Sequence, residues 1–119
     1  MDTLKRGKWG EAVALEFLKK KKYSAVAMGY RSRFGEIDLI VKDREFIVFV
    51  EVKTRKNADF ALAREYVVKS KQRKIKSTAK LWLVCHETRL QPRFDVIEIY
   101  APDGEKTISP MINHLENVF

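Results

Sequence analysis

The sequence predicts an α/β fold in which helices flank a mixed central sheet, in the order helix, three strands, helix, strand. Apolar residues recur at helical spacing in residues 3–20 and 70–85, and apolar segments of strand length occupy the stretches between and after them. Three consecutive strands favour an antiparallel meander, whereas the helix before the last strand allows a parallel crossover. The length of 119 residues suits a single domain.

The first half of the chain contains the first helix and the three consecutive strands. The helix is predicted over residues 3–20, with Thr3 as its N-cap. The strands follow over residues 23–30, 35–42 and 45–53. The third strand begins with a run that is apolar on both faces, which is typical of a central, buried strand.

The second half of the chain begins with a less regular segment, from Thr54 to about Lys69, which is expected to include a loop. The second helix then begins at Ser70, a suitable N-cap, and runs to about Cys85. The last predicted strand covers residues 93–101. Residues 111–119 are expected to form a short helix or a turn that covers an edge of the sheet.

The chain is strongly basic, with a net charge of +8 from 24 Lys and Arg against 16 Asp and Glu. The basic residues cluster at residues 19–22, 53–56 and 69–76. Such clusters favour a polyanion partner, because each neutralised phosphate releases counterions. A basic surface without a partner is the alternative.

Cysteine content and hydropathy indicate a cytoplasmic protein. The single cysteine, Cys85, permits no internal disulfide and fits a reducing compartment, and we expect it to be a buried apolar residue. The chain has no apolar run of about 18 residues that would span a membrane. Its first residues also lack the apolar segment of a secretory signal.

Charged residues follow the apolar run of the third strand, at Glu51 and Lys53. Strand side chains alternate between faces, so both point to the same side of the sheet. With an even-numbered turn after the second strand, Asp38 lies opposite Phe49 and diagonal to Glu51, at about 7–8 Å. Seven apolar residues are expected on the other face of this hairpin: Ile37, Leu39, Val41, Phe46, Val48, Val50 and Val52. The acids are therefore expected in a cleft at the end of a buried sheet.

Two carboxylates at this spacing can hold Mg²⁺, which polarises a phosphodiester and orients a water. Asp38 and Glu51 are the candidate ligands, and the backbone carbonyl of Val52 could add a further oxygen. Lys53 can stabilise developing negative charge or, with a depressed pKa, take the proton of the attacking water. Taken alone, Glu and Lys two residues apart also occur commonly on exposed strands.

Each predicted helix carries a polar residue on its apolar stripe. Glu11 lies on the stripe of the first helix and is either an acid of the site or the partner of a Lys or Arg. Gln72 shares a face with Ile75 in the second helix and is either part of the site or an ordinary polar residue at the helix entrance.

Other conspicuous residues fit structural roles. Asp95 shares a strand face with apolar residues, so a buried hydrogen-bonding role is expected. His86 and His114 show no metal-ligand spacing and are expected to be structural or surface residues. Trp9 and Trp82 are expected in the core.

The sequences GEID at residues 35–38 and FVEVKTR at residues 49–55 resemble the YraN-type family of small predicted endonucleases. They are also similar to the wider PD-(D/E)xK nuclease superfamily, which includes restriction endonucleases and archaeal Holliday junction resolvases. The likeness covers nearly the whole chain, since GEAVALEFL, KQRKI, RFDVIEI and HLENVF belong to it. Two departures are the Lys22-Tyr23 pair, where the family usually has Gly-Tyr, and Ile37, where the superfamily name has Pro.

The resemblance implies a restriction endonuclease-like fold in αβββαβ order and a nuclease domain over residues 1–119. It implies that Asp38 and Glu51 bind Mg²⁺, that Mn²⁺ can replace Mg²⁺, and that Lys53 is the catalytic lysine. It further implies that Glu11 is an additional active-site acid, also a candidate metal ligand, and that Gln72 supports the site.

The resemblance implies a DNA substrate that is branched or otherwise structured, and it is compatible with a homodimer. Eight basic residues are the candidate contacts to the DNA backbone: Arg31, Arg33, Arg55, Lys56, Lys69, Lys71, Arg73 and Lys74. Two alternatives stay open at this point. One is a nucleic-acid-binding module that keeps the nuclease fold without its own activity, and the other is an ordinary structural or interaction domain in which the four charged site residues are scattered.

Overall fold

The computed structural model describes residues 3–56 and 69–119, with side chains from residue 7 onward. The elements, in chain order, are α1 (Thr3–Lys20), β1 (Ser24–Ser32), β2 (Gly35–Lys42), β3 (Phe46–Arg55), α2 (Lys69–Cys85), β4 (Gln91–Tyr100), a 3₁₀ turn (Gly104–Lys106) and β5 (Met111–Leu115). Neither helix in the described part of the chain is long and apolar enough to cross a membrane.

The strands form one five-stranded sheet in the order β1-β2-β3-β4-β5. The pair β3–β4 is parallel and the other three neighbouring pairs are antiparallel. Alternate residues of β3 enter different cores, since Val48 and Val50 pack with α1 whereas Ile47 and Phe49 pack with α2. The two helices therefore cover opposite faces of the sheet, which confirms the predicted mixed α/β sandwich and its restriction endonuclease-like order.

The chain after β4 differs from the prediction. Residues 111–115 do not form a helix or a turn but the strand β5, which pairs antiparallel with β4 from Val96↔Leu115 to Tyr100↔Met111. A strand is favoured here because it satisfies the backbone N–H and C=O groups along the free edge of β4.

The structure contradicts two predictions about the second helix, concerning Ser70 and Cys85, and describes little of the loop predicted before it. Ser70 is not an N-cap, because α2 already includes Lys69. Cys85 is exposed rather than buried, because it is the last helical residue and the buried stripe of α2 ends at Trp82. Most of the loop expected between Thr54 and Lys69 lies outside the described residues, while Thr54 itself belongs to β3.

The turn between β2 and β3 determines how the two strands pair. The carboxylate of Asp43 accepts hydrogen bonds from the backbone N–H groups of Glu45 and Phe46, at 2.9 and 2.7 Å. The resulting register pairs Ile40 with Phe49, so the prediction that Asp38 faces Phe49 is wrong by two residues. A shift of two residues preserves the face of every side chain. The pairing of the two strands ends at Leu39↔Val50, and Asp38 is linked to β3 by a 2.8 Å hydrogen bond from the backbone N–H of Val52 to its carboxylate.

Seven residues were expected on the apolar face of the hairpin. Six of them pack in or against the core under α1, as predicted. The exception is Ile37, which packs with Ile40 and Ile75 under α2. Ile37 and Leu39 are both buried but in different cores, so the alternation of β2 is interrupted at Asp38. The neighbouring strand is also irregular nearby, where Gly29 has a φ of 66° that favours glycine.

A buried polar network joins β4 to the C-terminal residues. The fully buried carboxylate of Asp95 accepts two hydrogen bonds from Arg93, at 2.9 and 2.8 Å, and one from the backbone N–H of Asn117, at 3.0 Å. His114 Nε2 lies 2.7 Å from the same carboxylate. Burial opposes the charge of Asp95, but the bonds from His114, Arg93 and Asn117 outweigh it and lower the pKa. The expected hydrogen-bonding role of Asp95 is confirmed.

We expect Asp95→Asn to lower the free energy of unfolding at pH 7 by about 3 kcal/mol, because it leaves Arg93 buried without its carboxylate. A depressed pKa stabilises the fold above the ordinary pKa of about 4 and loses that effect as pH falls further. The difference between variant and parent should therefore shrink below about pH 4, as measured by urea denaturation. The control is Asp103→Asn, since Asp103 is exposed and its side chain makes no cap hydrogen bond. A pH-independent difference would contradict the linkage.

A close approach of α1 to β3 depends on Gly10. A Cβ added there would lie 2.5 Å from Thr54 Oγ1, whereas a Cβ at Gly7 would have no atom within 4 Å. We expect Gly10→Ala to destabilise the protein by about 1–3 kcal/mol and Gly7→Ala to stabilise it by up to about 1 kcal/mol. Thermal denaturation measures both. Adding Thr54→Ala to Gly10→Ala should restore stability, and no restoration would show that the contact is unimportant.

Candidate active site at the end of strands β2 and β3

Charged side chains from four elements meet at the end of β2 and β3. Asp38 comes from β2, Glu51 and Lys53 from β3, Glu11 from α1 and Lys71 from α2. These groups lie close enough to interact, because the charges of Glu51, Glu11 and Lys71 all change the pKa of Asp38. The structure therefore brings together the four charged residues expected from the sequence rather than scattering them.

Asp38 is held by the neighbouring strand. Its Oδ2 accepts a 2.8 Å hydrogen bond from the backbone N–H of Val52. The pKa of Asp38 is nevertheless raised to about 7, first by burial and then by the negative charges of Glu51 and Glu11, while the Val52 bond and Lys71 partly oppose this. A carboxylate whose charge is disfavoured in this way would be stabilised by an added cation.

Glu51 is almost fully buried, with 5% of its side chain exposed. Its Oε1 accepts a hydrogen bond from Lys71, and Lys53 Nζ lies 3.5 Å from the same oxygen. Burial and the neighbouring Lys71 lower the pKa of Lys53, although Glu51 opposes this. For Lys71, burial opposes the charge, but the hydrogen bond with Glu51 and its negative charge raise the pKa overall.

Glu11 faces an open cleft beside these groups. The cleft has a volume of about 760 Å³ and is lined by Gly7, Lys8, Glu11, Met28, Gly29, Arg31, Glu36 and Asp38. Burial, Glu36 and Glu51 raise the pKa of Glu11, and Lys8 partly opposes them. No ion pair within 4.0 Å includes Glu11 in the described part of the chain, so the salt bridge considered as its alternative role is not observed there.

Val52 and Gln72 lie next to these charges, and their expected roles stay predictions. The contact of Val52 with Asp38 is made through its N–H, and its carbonyl remains the candidate metal ligand. Gln72 is half-buried in the first turn of α2, immediately after Lys71. Sequence reasoning assigned Lys71 to DNA binding and missed its contact with Glu51. The signal was its spacing, because Lys71 lies four residues before the buried Ile75 on the same helix.

The eight candidate DNA-contacting residues have different environments. Six are exposed: Arg31, Arg33, Lys56, Lys69, Arg73 and Lys74. Arg31 also lines the cleft beside Glu11 and Asp38. Arg55 is partly buried, and its Nε lies 3.4 Å from a carboxylate oxygen of the fully buried Glu98. This ion pair within the protein gives Arg55 a structural role. The contact of these residues with DNA stays a prediction.

A second acidic group lies away from the cleft. Within residues 3–56 and 69–119, the one set of three potential ligands whose donor atoms all lie within 4.8 Å of one another is Asp95, His114 and Glu116. Arg93 bonds directly to Asp95 and lies 3.7 Å from Glu116, so its guanidinium already pairs with both carboxylates. These residues are better explained as the polar network that fixes the C-terminal residues.

The acids at the cleft are better suited to bind Mg²⁺ than the group of Asp95, His114 and Glu116. Asp38, Glu51 and Glu11 supply carboxylate oxygens, which are the ligands that Mg²⁺ prefers. The pKa values of Asp38 and Glu11 are raised first by burial and then by repulsion from neighbouring carboxylates, which Lys71 and Lys8, respectively, only partly oppose. A divalent cation bound between Asp38 and Glu51 would relieve this repulsion.

Comparison with known proteins identifies the family of the chain. Residues 10–99 match the model of the uncharacterised protein family UPF0102. The UPF0102 proteins of Caldanaerobacter subterraneus subsp. tengcongensis and Caldicellulosiruptor bescii are each 40% identical to this chain, over 95% and 100% of it and over 93% and 100% of their own lengths. A UPF0102 protein of Clostridioides difficile is 37% identical over the full length of both chains. The chain therefore belongs to the UPF0102 family, whose YraN-type motifs its sequence contains.

Proposed function

We propose that this protein is a Mg²⁺-dependent endodeoxyribonuclease that hydrolyses phosphodiester bonds in branched or structured DNA. One observation carries the proposal: the backbone N–H of Val52 holds Asp38 close enough to Glu51 for the charge of Glu51 to act on it, and the amine of Lys53 lies 3.5 Å from Glu51. Two acids and a lysine in this relation are the groups that metal-assisted hydrolysis of a phosphodiester requires.

Asp38, Glu51 and Glu11 would hold the metal, with the carbonyl of Val52 as a further ligand. The bound Mg²⁺ would supply polarisation of the phosphate and neutralisation of the leaving oxygen. The fold fixes the ligands in place, because the Val52 N–H holds Asp38 and the central strand holds Glu51. Asp38 and Glu11 line the open cleft, and we propose that the DNA strand reaches the metal through it.

Lys53 supports the attack of water on the phosphorus. In its protonated form the amine stabilises the negative charge that develops on the phosphoryl oxygens. Its lowered pKa, caused mainly by burial and then by Lys71 against the opposing charge of Glu51, also makes it a better proton acceptor than a free lysine. Both roles require the Nζ atom near the reacting water, which its contact with Glu51 supports.

The charge of the chain supports a nucleic-acid substrate. A net charge of +8 favours a polyanion as the partner. One exposed basic residue, Arg31, lines the cleft, and others lie along the first turns of α2. Contacts of this type read the DNA backbone and its shape rather than its bases. A branched substrate with two scissile strands would further favour a homodimer.

A second candidate function is a nucleic-acid-binding module that keeps the fold without cleaving. The observation that favours it is the contact of Lys71 with Glu51, because an amine already compensates the central acid of the site. Metal uptake distinguishes the two functions, since the module needs none.

We expect the purified protein to cleave at least one member of a panel of linear, flapped and four-way DNA in Mg²⁺ or Mn²⁺, and EDTA to abolish the cleavage. Lys53→Met and Asp38→Asn should each lower the rate by about 100-fold or more. Lys42→Met is the matched control, because Lys42 is exposed at the other end of β2. Equal rates for the parent and Lys53→Met on every substrate would place the cleavage outside this site.

DNA binding without metal should depend on α2. In EDTA, the double variant Arg73→Ala/Lys74→Ala should weaken binding and reduce the slope of log affinity against log salt by about 1 per residue removed. The double variant Lys42→Ala/Lys106→Ala removes the same charge from exposed positions elsewhere and should leave the slope closer to that of the parent. Equal slopes for the two double variants, measured by fluorescence anisotropy, would argue against a DNA-binding face on α2.

A further inference from the structure

Two lysines compete for one oxygen of Glu51. Lys71 donates a hydrogen bond to Oε1, and Lys53 Nζ lies 3.5 Å from that same atom. Lys71 therefore makes the closer contact, although it belongs to a helix and Lys53 to the same strand as the acid. The amine of Lys71 occupies space next to a carboxylate oxygen that a bound metal would need.

Lys71 is better able than Lys53 to leave this position. Its side chain is 41% exposed, against 24% for Lys53, and it extends from the first turn of α2. A lysine ammonium is a compact charge on a flexible stem, so it can turn to solvent without movement of the helix. Lys53 is fixed more firmly, because it extends from the central strand of the sheet.

Without a metal, Glu51 needs such a partner. A carboxylate with 5% of its surface exposed loses most of its hydration, and Asp38 and Glu11 add negative charge nearby. The ammonium of Lys71 supplies a positive charge at this point. A divalent cation on the same oxygen would supply more charge and would repel the ammonium.

We propose that Lys71 is a built-in competitor for the metal: its ammonium holds Glu51 in the metal-free protein and is displaced when the cation binds. This inference rests on the proposed function, in which Asp38 and Glu51 are metal ligands. It assigns Lys71 a positioning role in metal binding that is separate from its expected contact with DNA. Removal of the competitor should tighten metal binding.

The experiment is calorimetric titration of the full chain with Mn²⁺ and with Mg²⁺. Lys71→Met keeps the length of the side chain and removes its charge, so we expect about tenfold tighter binding. Lys71→Arg keeps a cation that can still pair with Glu51 and should stay within about threefold of the parent. Lys74→Met removes an exposed charge from the same helix and controls for the general effect of net charge on cation affinity.

A second measurement follows the amine itself. In the parent protein labelled with ¹⁵N, the Lys71 Nζ signal, assigned with Lys71→Arg, should shift and lose its protection from solvent exchange when Mg²⁺ is added. The Lys74 signal should not change. This result would separate displacement of Lys71 from any effect of the substitution on folding.

The outcomes distinguish this inference from the proposed function. If Asp38→Asn abolishes metal binding but Lys71→Met binds no more tightly than Lys74→Met, the competitor role is wrong and the metal site stands. If neither the parent nor Lys71→Met shows binding that depends on Asp38, the metal site itself is wrong and this inference falls with it. Binding seen in Lys71→Met and undetectable in the parent would support both.

Discussion

The candidate site depends on the burial of Glu51 at the end of the central strand. β3 is flanked by β2 and β4, and both faces of its first half are covered by apolar residues that pack under the two helices. This burial continues to Glu51 and leaves its carboxylate with little water. A charge in such a place needs a positive partner. Lys53 and Lys71, which both lie next to Oε1 of Glu51, supply this positive charge.

The topology explains why these partners come from distant parts of the chain. The parallel pair β3–β4 requires a crossover, and α2 provides it, so the start of α2 returns near the end of β3. That return brings Lys71 to Glu51. The close approach of α1, which Gly10 permits, likewise brings Glu11 toward the same end of the sheet. One sheet end thus collects acids and amines from four elements.

Periodicity predicted the parts of the fold that depend on local pattern and failed where tertiary contacts decide. The span of β2 and the alternation of β3 residues between the two cores follow from local pattern alone. The register does not, because the side chain of Asp43 determines the turn and moves the pairing by two residues. The strand β5 forms because β4 has a free edge, which no local pattern records. Lys71 and Gln72 fit the same helical stripe, so spacing alone could not tell which one meets Glu51.

The fully buried Asp95 and the half-buried Asp38 are in opposite electrostatic environments, and the contrast supports the proposed location of the functional site. Asp95 receives a full set of donors from Arg93, His114 and Asn117, and its pKa falls. Asp38 receives one backbone donor and faces two other acids, and its pKa rises to about 7. A satisfied acid contributes to the fold, whereas an acid kept among like charges destabilises it unless a further cation binds. The geometric convergence of ligands at Asp95 therefore has a structural explanation, and the environment of Asp38 is the stronger reason to propose a metal site in the cleft.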